Sequence, residues 1–304
     1  MHKPAPPFQH TPYDGTSLPF TMGLKPITEE TWLEPDPFLE KHLAEKDRLL
    51  EADRDAVFRA EDGTRNAQYE ILTLIVENLQ RHHGATYSIR KNQGIIKSTG
   101  RTVDLDDEPA LLTAARLVQE DLVLMRPGPD GYRLAAACLC FPSSWSLAEK
   151  FGQSMSGIHK PVPGFNGHRM GMMVARLFDN LKAGQYVCRF NWSIYPDGEL
   201  HHPEAKQIDI DNDEAALPRL FLRVERQTLR RLPKSGDVLF TIKIHHDPLT
   251  ALQNQPNRAA LAAHLKDQLM GLDLDQLAYK GLTRGREALV EALAEIAAEV
   301  EGAL

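Results

Sequence analysis

No apolar run in this chain approaches the roughly 18 residues of a bilayer-spanning helix, so no membrane span is expected. The start, MHKPAPPFQHTPYDG, lacks the apolar stretch of a secretory signal. Cysteine is scarce: Cys138, Cys140 and Cys188 are the only three. Cys138 and Cys140 stand two apart in a strand-like run and point the same way, which makes them poor disulfide partners. No CxxC pair exists, so neither a zinc site nor a dithiol redox motif is supported. A reduced, cytoplasmic compartment is the expectation. Basic residues are not in excess: Lys and Arg number 35 against 42 Asp and Glu, a formal charge of −7. That argues against general nucleic-acid binding.

The familiar catalytic signatures are missing as well. There is no HExxH, Walker A loop or GxGxxG, and no GxSxG elbow surrounds Ser143 or Ser144. The adjacent histidine pairs at 82–83, 201–202 and 245–246 do not make two-ligand metal sites by themselves, because neighbours on a strand or helix point apart.

What is present reads as α+β, in a length of 304 residues that suits one large domain or two small ones. Ile71, Ile75 and Leu79 recur every four residues and predict a helix over 64–83. A second helix is expected around 111–119. It runs into a strand at DLVLM, a turn at PGPDG and a returning strand at YRLAAACLC. SLAE, Ser146–Glu149, is a capping box that opens a short helix closed by Gly152. GMMVARLFDNL (171–181) reads as a helix. YVCRFNWSIY and ELHH read as strands around PDG. FLRVERQTLRRL and DVLFTIKIH form a hairpin about PKSG. Two helices end the chain: one starts on an Asn cap near 257, and one over 284–304 carries a stripe of Leu289, Leu293, Ile296 and Val300.

Three stretches carry possible chemistry. In SMSGIHKPVPGFNG (154–167), Pro161 and Pro163 push Lys160 and Val162 out of the helical region, so HKPVP is expected to run as a short polyproline-like rod. A histidine on such a rod, His159, has little ordering entropy left to lose, which suits a ligand or catalytic group; a surface loop whose histidine caps a neighbour accounts for the same residues. In RLFLRVERQTLRRLPK (219–234), five arginines and Lys234 meet a single Glu225. As a strand, it sets Arg226 and Arg230 on one face and Arg223 and Arg231 on the other. Such an array suits carboxylates or phosphates, while a solvated face paired with acidic neighbours fits the composition equally. CLCFPSSW (138–145) brings two thiols to a strand end, as iron ligands or as small buried apolar groups.

The blocks PFTMGLKPI, WLEPD, CLCFPSSWSLAEKFGQSMSGIHKPVPGFN, NWSI, LRVERQTLRRLP, VLFTIKI and YKGL occur in that order. Together they resemble the haem-dependent oxidative N-demethylase family, related to dimethylamine monooxygenase alpha subunits, over about residues 18–282. The resemblance implies a PAS-like antiparallel sheet with flanking helices and haem b held over its face. It divides the chain into an extended or disordered arm (1–20), a haem-binding catalytic domain (21–250) and C-terminal helices packed on it or on a partner (251–304). It implies oxygen-dependent removal of a methyl group from a small secondary amine, giving formaldehyde and the primary amine. Electrons would come from NADPH through a separate flavin and iron–sulfur reductase, for which this chain has no motif. His159 is then the expected axial iron ligand, with Cys138, Cys140 and Cys188 as the alternatives. Arg223, Arg226 and Arg230 are the expected anchors of the haem propionates. Trp145, Trp192 and VLFTIKI are expected to wall the pocket. A haem PAS sensor without turnover is the competing reading. It calls for an output module, and none is visible in these residues.

Overall fold

The computed structural model describes residues 7–210 and 217–298. Residues 1–6 of the expected arm, and the end of the expected last helix with Val300, lie outside them. β1 (Lys25–Ile27), α1 (Leu39–Ala52), α2 (Arg54–Val57), β2 (Phe58–Ala60) and α3 (Arg65–His82) come first. A small antiparallel sheet follows, β3 (Tyr87–Arg90), β4 (Gln93–Ile96) and β5 (Arg101–Asp104), and then α4 (Ala110–Ala115). β6 (Asp121–Gly128) and β7 (Gly131–Cys138) form a hairpin. The crossover α5 (Leu147–Lys150), α6 (Met155–Ile158) and α7 (Arg169–Asn180) leads to β8 (Tyr186–Tyr195), β9 (Phe221–Arg231) and β10 (Val238–Pro248). α8 (Arg258–Met270), α9 (Leu274–Lys280) and α10 (Arg286–Ala298) end the described chain.

The large sheet has the order β1-β8-β9-β10-β6-β7-β2, and its neighbours all pair antiparallel. Gly236, at φ 75°, makes the turn between β9 and β10, where the Leu232 N–H donates to the Asp237 carbonyl at 2.8 Å. Val238 then pairs with Arg231 and the ladder runs to Pro248 opposite Phe221. The fold is therefore the α+β arrangement expected from the pattern. Ile71, Ile75 and Leu79 of α3 are fully buried, as their period requires. One core packs α1, α3 and α4 with β6, β7 and β10. A second packs the C-terminal helices against Trp192 and Ile194 of β8 and Leu222 and Val224 of β9. Phe8 and Tyr13 are buried in this second core, so the described part of the arm borrows the core of others.

Two elements differ from the sequence pattern. α4 ends at Ala115 rather than near 119, where Lys46, 1 % exposed, donates to the carbonyls of Ala115, Val118 and Glu120. A buried ammonium needs such acceptors, and continuing α4 to 119 would turn the Ala115 carbonyl into the helix ladder. ELHH is not a strand. His202 instead bridges to Ser143: its N–H donates to the Pro142 carbonyl and its own carbonyl accepts from Ser144. The carbonyls of Glu199 and Leu200 are taken by Arg223.

Candidate functional site

The crossover from β7 to β8 builds one wall of the site. Ser146 caps α5 with its hydroxyl on the Glu149 N–H while the Glu149 carboxylate accepts from the Ser146 N–H. Gly152, at φ 76°, reverses the chain. Ser154 caps α6. Beyond α6 the expected proline rod is absent. The Val162 N–H donates to the His159 carbonyl at 2.9 Å and the Phe165 N–H to the Val162 carbonyl at 3.3 Å, so 159–165 is a succession of turns. The prolines supply no N–H, and the N–H groups that remain close short loops; Gly164, at φ 69°, completes the reversal.

His159 is fixed by the end of α6. Its backbone N–H and its ring Nδ1 both lie on the Met155 carbonyl, at 3.1 and 2.9 Å. A carbonyl only accepts, so Nδ1 carries the proton and Nε2 carries the lone pair. The ring stacks on Phe165 at 4.0 Å and 9°, which covers its face and leaves its edge. Burial, with the charges of Arg189 and Lys150 behind it, outweighs the Met155 bond and lowers the imidazole to about 4. It is neutral at physiological pH.

A cavity of about 680 Å³ lies between the 160–166 turns and the uncovered end of β8. Asn191, Ser193 and Tyr195 project into it from one face of β8, with Ser143 and Ser144 at the rim and Lys206 and Lys280 opposite. Ser144 sits at φ 64°, a conformation that favours glycine. It is held there by its N–H on the His202 carbonyl and its hydroxyl against the Tyr195 hydroxyl at 2.9 Å. Lys206 donates to Ser193 Oγ at 3.1 Å and to the Lys280 carbonyl at 2.9 Å, and lies 4.1 Å over the Tyr195 ring. Burial, then the charges of Lys280 and Arg223, lower its ammonium to about 7. Arg189 shares the β8 face of Asn191 and Ser193 by alternation. Its Nε, shielded from solvent, has no partner among the described residues.

The three candidate arginines do not converge. Arg223 pairs with Ser193 across β8–β9 and so belongs to the cavity face. It is 1 % exposed, and its guanidinium donates to Ser143 Oγ and to the carbonyls of Phe141, Pro142, Leu200 and Glu199. Arg226 and Arg230 emerge on the opposite face. Arg226 donates to the carbonyls of Trp32 and Thr31 and pairs with Glu34 at 3.0 Å. Arg230 lies between the rings of Trp32 and Tyr186, 4.3 and 4.6 Å from their centroids. Trp192 also leaves the cavity face: its Nε1 donates to Gln268 in the second core. Trp145 packs against the first core.

The cysteines are free and buried. Cys140 is pushed well up by its contact with Cys138 and by burial, and Cys188 is pushed up by burial. A raised thiol resists becoming a thiolate ligand. Arg189 and the Asn191–Ser193–Tyr195 row were not singled out in the sequence, although the alternating polar positions of RFNWSIY are the signal that could have found them. Lys206 and Lys280 had no such signal, being single lysines on separate segments.

Over residues 23–290 the chain matches the family model described as haem-dependent oxidative N-demethylase, alpha subunit-like. The match spans most of its length, and the chain belongs to that family.

Proposed function

We propose that this chain binds haem b through His159 and demethylates a small secondary amine with oxygen. The observation that carries the reading is the state of His159: neutral, with Nδ1–H committed to a backbone carbonyl and Nε2 left for a ligand, one residue before the Lys160–Asn166 turns that line a polar cavity. An imidazole ligand of a metal has its other nitrogen fixed in just this way. The donor set therefore fits haem. The antiparallel sheet with a helical crossover along one face also fits the PAS-like arrangement that the resemblance implies.

Haem, when bound, supplies the oxygen chemistry: dimethylamine, oxygen, two electrons and two protons give methylamine, formaldehyde and water. The protein's own groups do the rest. His159 would hold the metal, its ring and its backbone N–H both fixed on the Met155 carbonyl, so that little ordering of this side chain would accompany binding. Lys206, which lines the cavity, would take a propionate as a charge-assisted partner. Arg223 contributes from below by holding Ser143 at the rim, while Arg226 and Arg230 brace the far face of the sheet. The cationic lining disfavours an ammonium ion, so the amine enters neutral with its lone pair free. Tyr195 and Ser144 offer hydroxyls to orient it. Electrons arrive from NADPH through a separate flavin and iron–sulfur reductase. Three free buried cysteines suit a reduced, cytoplasmic setting.

The test is formaldehyde release from dimethylamine with a surrogate electron donor, beside visible spectra of the wild type and His159→Ala. We expect a Soret band that dimethylamine shifts, stoichiometric formaldehyde, and loss of the native axial spectrum in His159→Ala with partial rescue by imidazole. An unchanged spectrum in His159→Ala would overturn the ligand. Gas binding without formaldehyde from any small methylamine would make the chain a sensor.

A further inference from the structure

On the far face of the sheet, away from the cavity, three ligating side chains converge from distant parts of the chain. They are His10 of the N-terminal segment, Glu34 of the loop before α1 and His245 of β10. We propose that they form a binding site for a borderline divalent cation of the zinc class, which pins the N-terminal segment to the central sheet.

His10 Nε2 is 2.9 Å from Glu34 Oε2, and His245 Nε2 is 3.8 Å from the same oxygen. All three ligand atoms lie within 4.8 Å of one another. Ligands about 2.0–2.2 Å from a tetrahedral zinc stand about 3.3–3.6 Å apart, so the His10–Glu34 spacing would open slightly and the spacings to His245 would close. A hydrogen bond between His10 and Glu34 accounts for those two groups alone. It does not account for His245. That side chain is 7 % exposed, and its Nε2 is buried without a hydrogen-bond partner. Buried imidazole nitrogens are normally satisfied, and this one faces the Glu34 carboxylate.

Arg226 Nε occupies Glu34 Oε1 at 3.0 Å and leaves Oε2 toward the imidazoles, as an outer-shell partner orients a ligand. The nearby cation Lys243 is itself paired, with Asp36 at 2.8 Å and with the Glu34 backbone carbonyl. The positive surroundings weaken hard ions held mainly by charge, such as calcium. Two imidazoles and one carboxylate suit borderline first-row ions instead, iron(II), nickel, copper or zinc, and zinc is the redox-silent probe of the set. Three protein ligands leave a fourth position for water. His246 takes no part: it stacks on Phe221, on the other face, as adjacency on a strand requires. The second imidazole comes instead from His10, stacked on Phe190 of the same sheet face.

The test uses the purified full chain, treated with EDTA, desalted and titrated with zinc chloride against a chromogenic zinc chelator. Melting is followed in parallel, with and without zinc. We expect one zinc per chain held against the chelator and a higher melting temperature with zinc. His10→Ala, Glu34→Gln and His245→Asn should each weaken binding by more than the roughly 10–100-fold that losing an outer-shell partner costs. Each should also lose the zinc-dependent rise in melting temperature while melting cooperatively in EDTA. His10→Ala changes the N-terminal segment rather than a strand of the sheet and keeps the test valid if His245→Asn fails to fold. Wild type that yields all its zinc to the chelator would reduce the cluster to a His10–Glu34 ion pair. Equal retention in all three variants would place the zinc elsewhere. Either result overturns the site.

Discussion

Asp121 is fully buried and yet keeps both carboxylate oxygens occupied: Cys140 N–H donates to one at 2.9 Å and Phe141 N–H to the other at 2.8 Å. Lys46 Nζ stands 3.9 Å away. Burial pushes this carboxyl up against the pull of Lys46 and the two N–H bonds. The arrangement holds the exit of β7, and hence Ser143 and Ser144, at the cavity rim. Asp121→Asn keeps the shape but turns an amide donor toward a backbone N–H and leaves Lys46 uncompensated. The expected cost is about 3–5 kcal/mol, read from urea unfolding. Adding Lys46→Met should recover part of it, since the two sites are coupled. None of this was legible in the sequence, where Asp121 is one acidic residue at a strand start. His159 was singled out as a candidate because its block is distinctive. The orientation of its ring was not legible, because that depends on where α6 ends. For Arg223, Arg226 and Arg230 the strand period gave the split into two faces. Which face meets the cavity depends on the crossover and the C-terminal helices, which the local pattern does not encode.

At the scale of elements, β9 and β10 form the longest ladder and carry both faces of the chemistry. Thr228 and Thr241 pair in register, and their hydroxyls meet at 2.6 Å in a fully buried position. One hydroxyl donates to the other, so the pair satisfies itself only while both are present. Thr228→Val should leave Thr241 unpaired and cost about 1–3 kcal/mol. The double variant with Thr241→Val should cost less than the sum of the singles, because both polar groups then leave together. Additive losses in urea unfolding would mean that each hydroxyl has another partner. Strong hairpins such as this one were readable from turn residues and alternation, as was α3 from its four-residue spacing. The failures occurred where backbone groups serve a buried cation. The last turn expected of α4 feeds Lys46, and the strand expected at ELHH feeds Arg223. The proline rod failed for a related reason: its few N–H groups close turns beneath the cavity. In all three places a distant side chain or a packed wall overrides a local preference.

At the scale of the whole molecule, acid should be the most effective denaturant. Burial outweighs every other influence on four imidazoles and lowers them: His42 to about 3, His245 to about 3, His159 to about 4 and His246 to about 4. In the unfolded chain each titrates near 6.5, so between about 6.5 and 4 the unfolded state binds more protons than the folded one. The contribution of these imidazoles is then full above about pH 7 and falls as the pH drops through 6.5. At pH 5 the loss is set by the unfolded value alone, because the native groups titrate well below. It comes to about 2 kcal/mol for each of His42 and His245, the two most buried. His159 and His246 are partly exposed and add less. About 4 kcal/mol is a large share of the roughly 5–15 kcal/mol that holds a domain together. Glu34 and Asp36, whose carboxyls are held low on balance by their cationic and hydrogen-bonding partners against burial, add a second loss further down, as the pH falls below about 4. Urea unfolding in EDTA at pH 7.5 and at pH 5 should therefore differ by about 4 kcal/mol, and His245→Asn should remove about half of that difference. Equal stability at the two pH values would mean that these imidazoles protonate in the folded state as readily as in water, and that the core admits their charge.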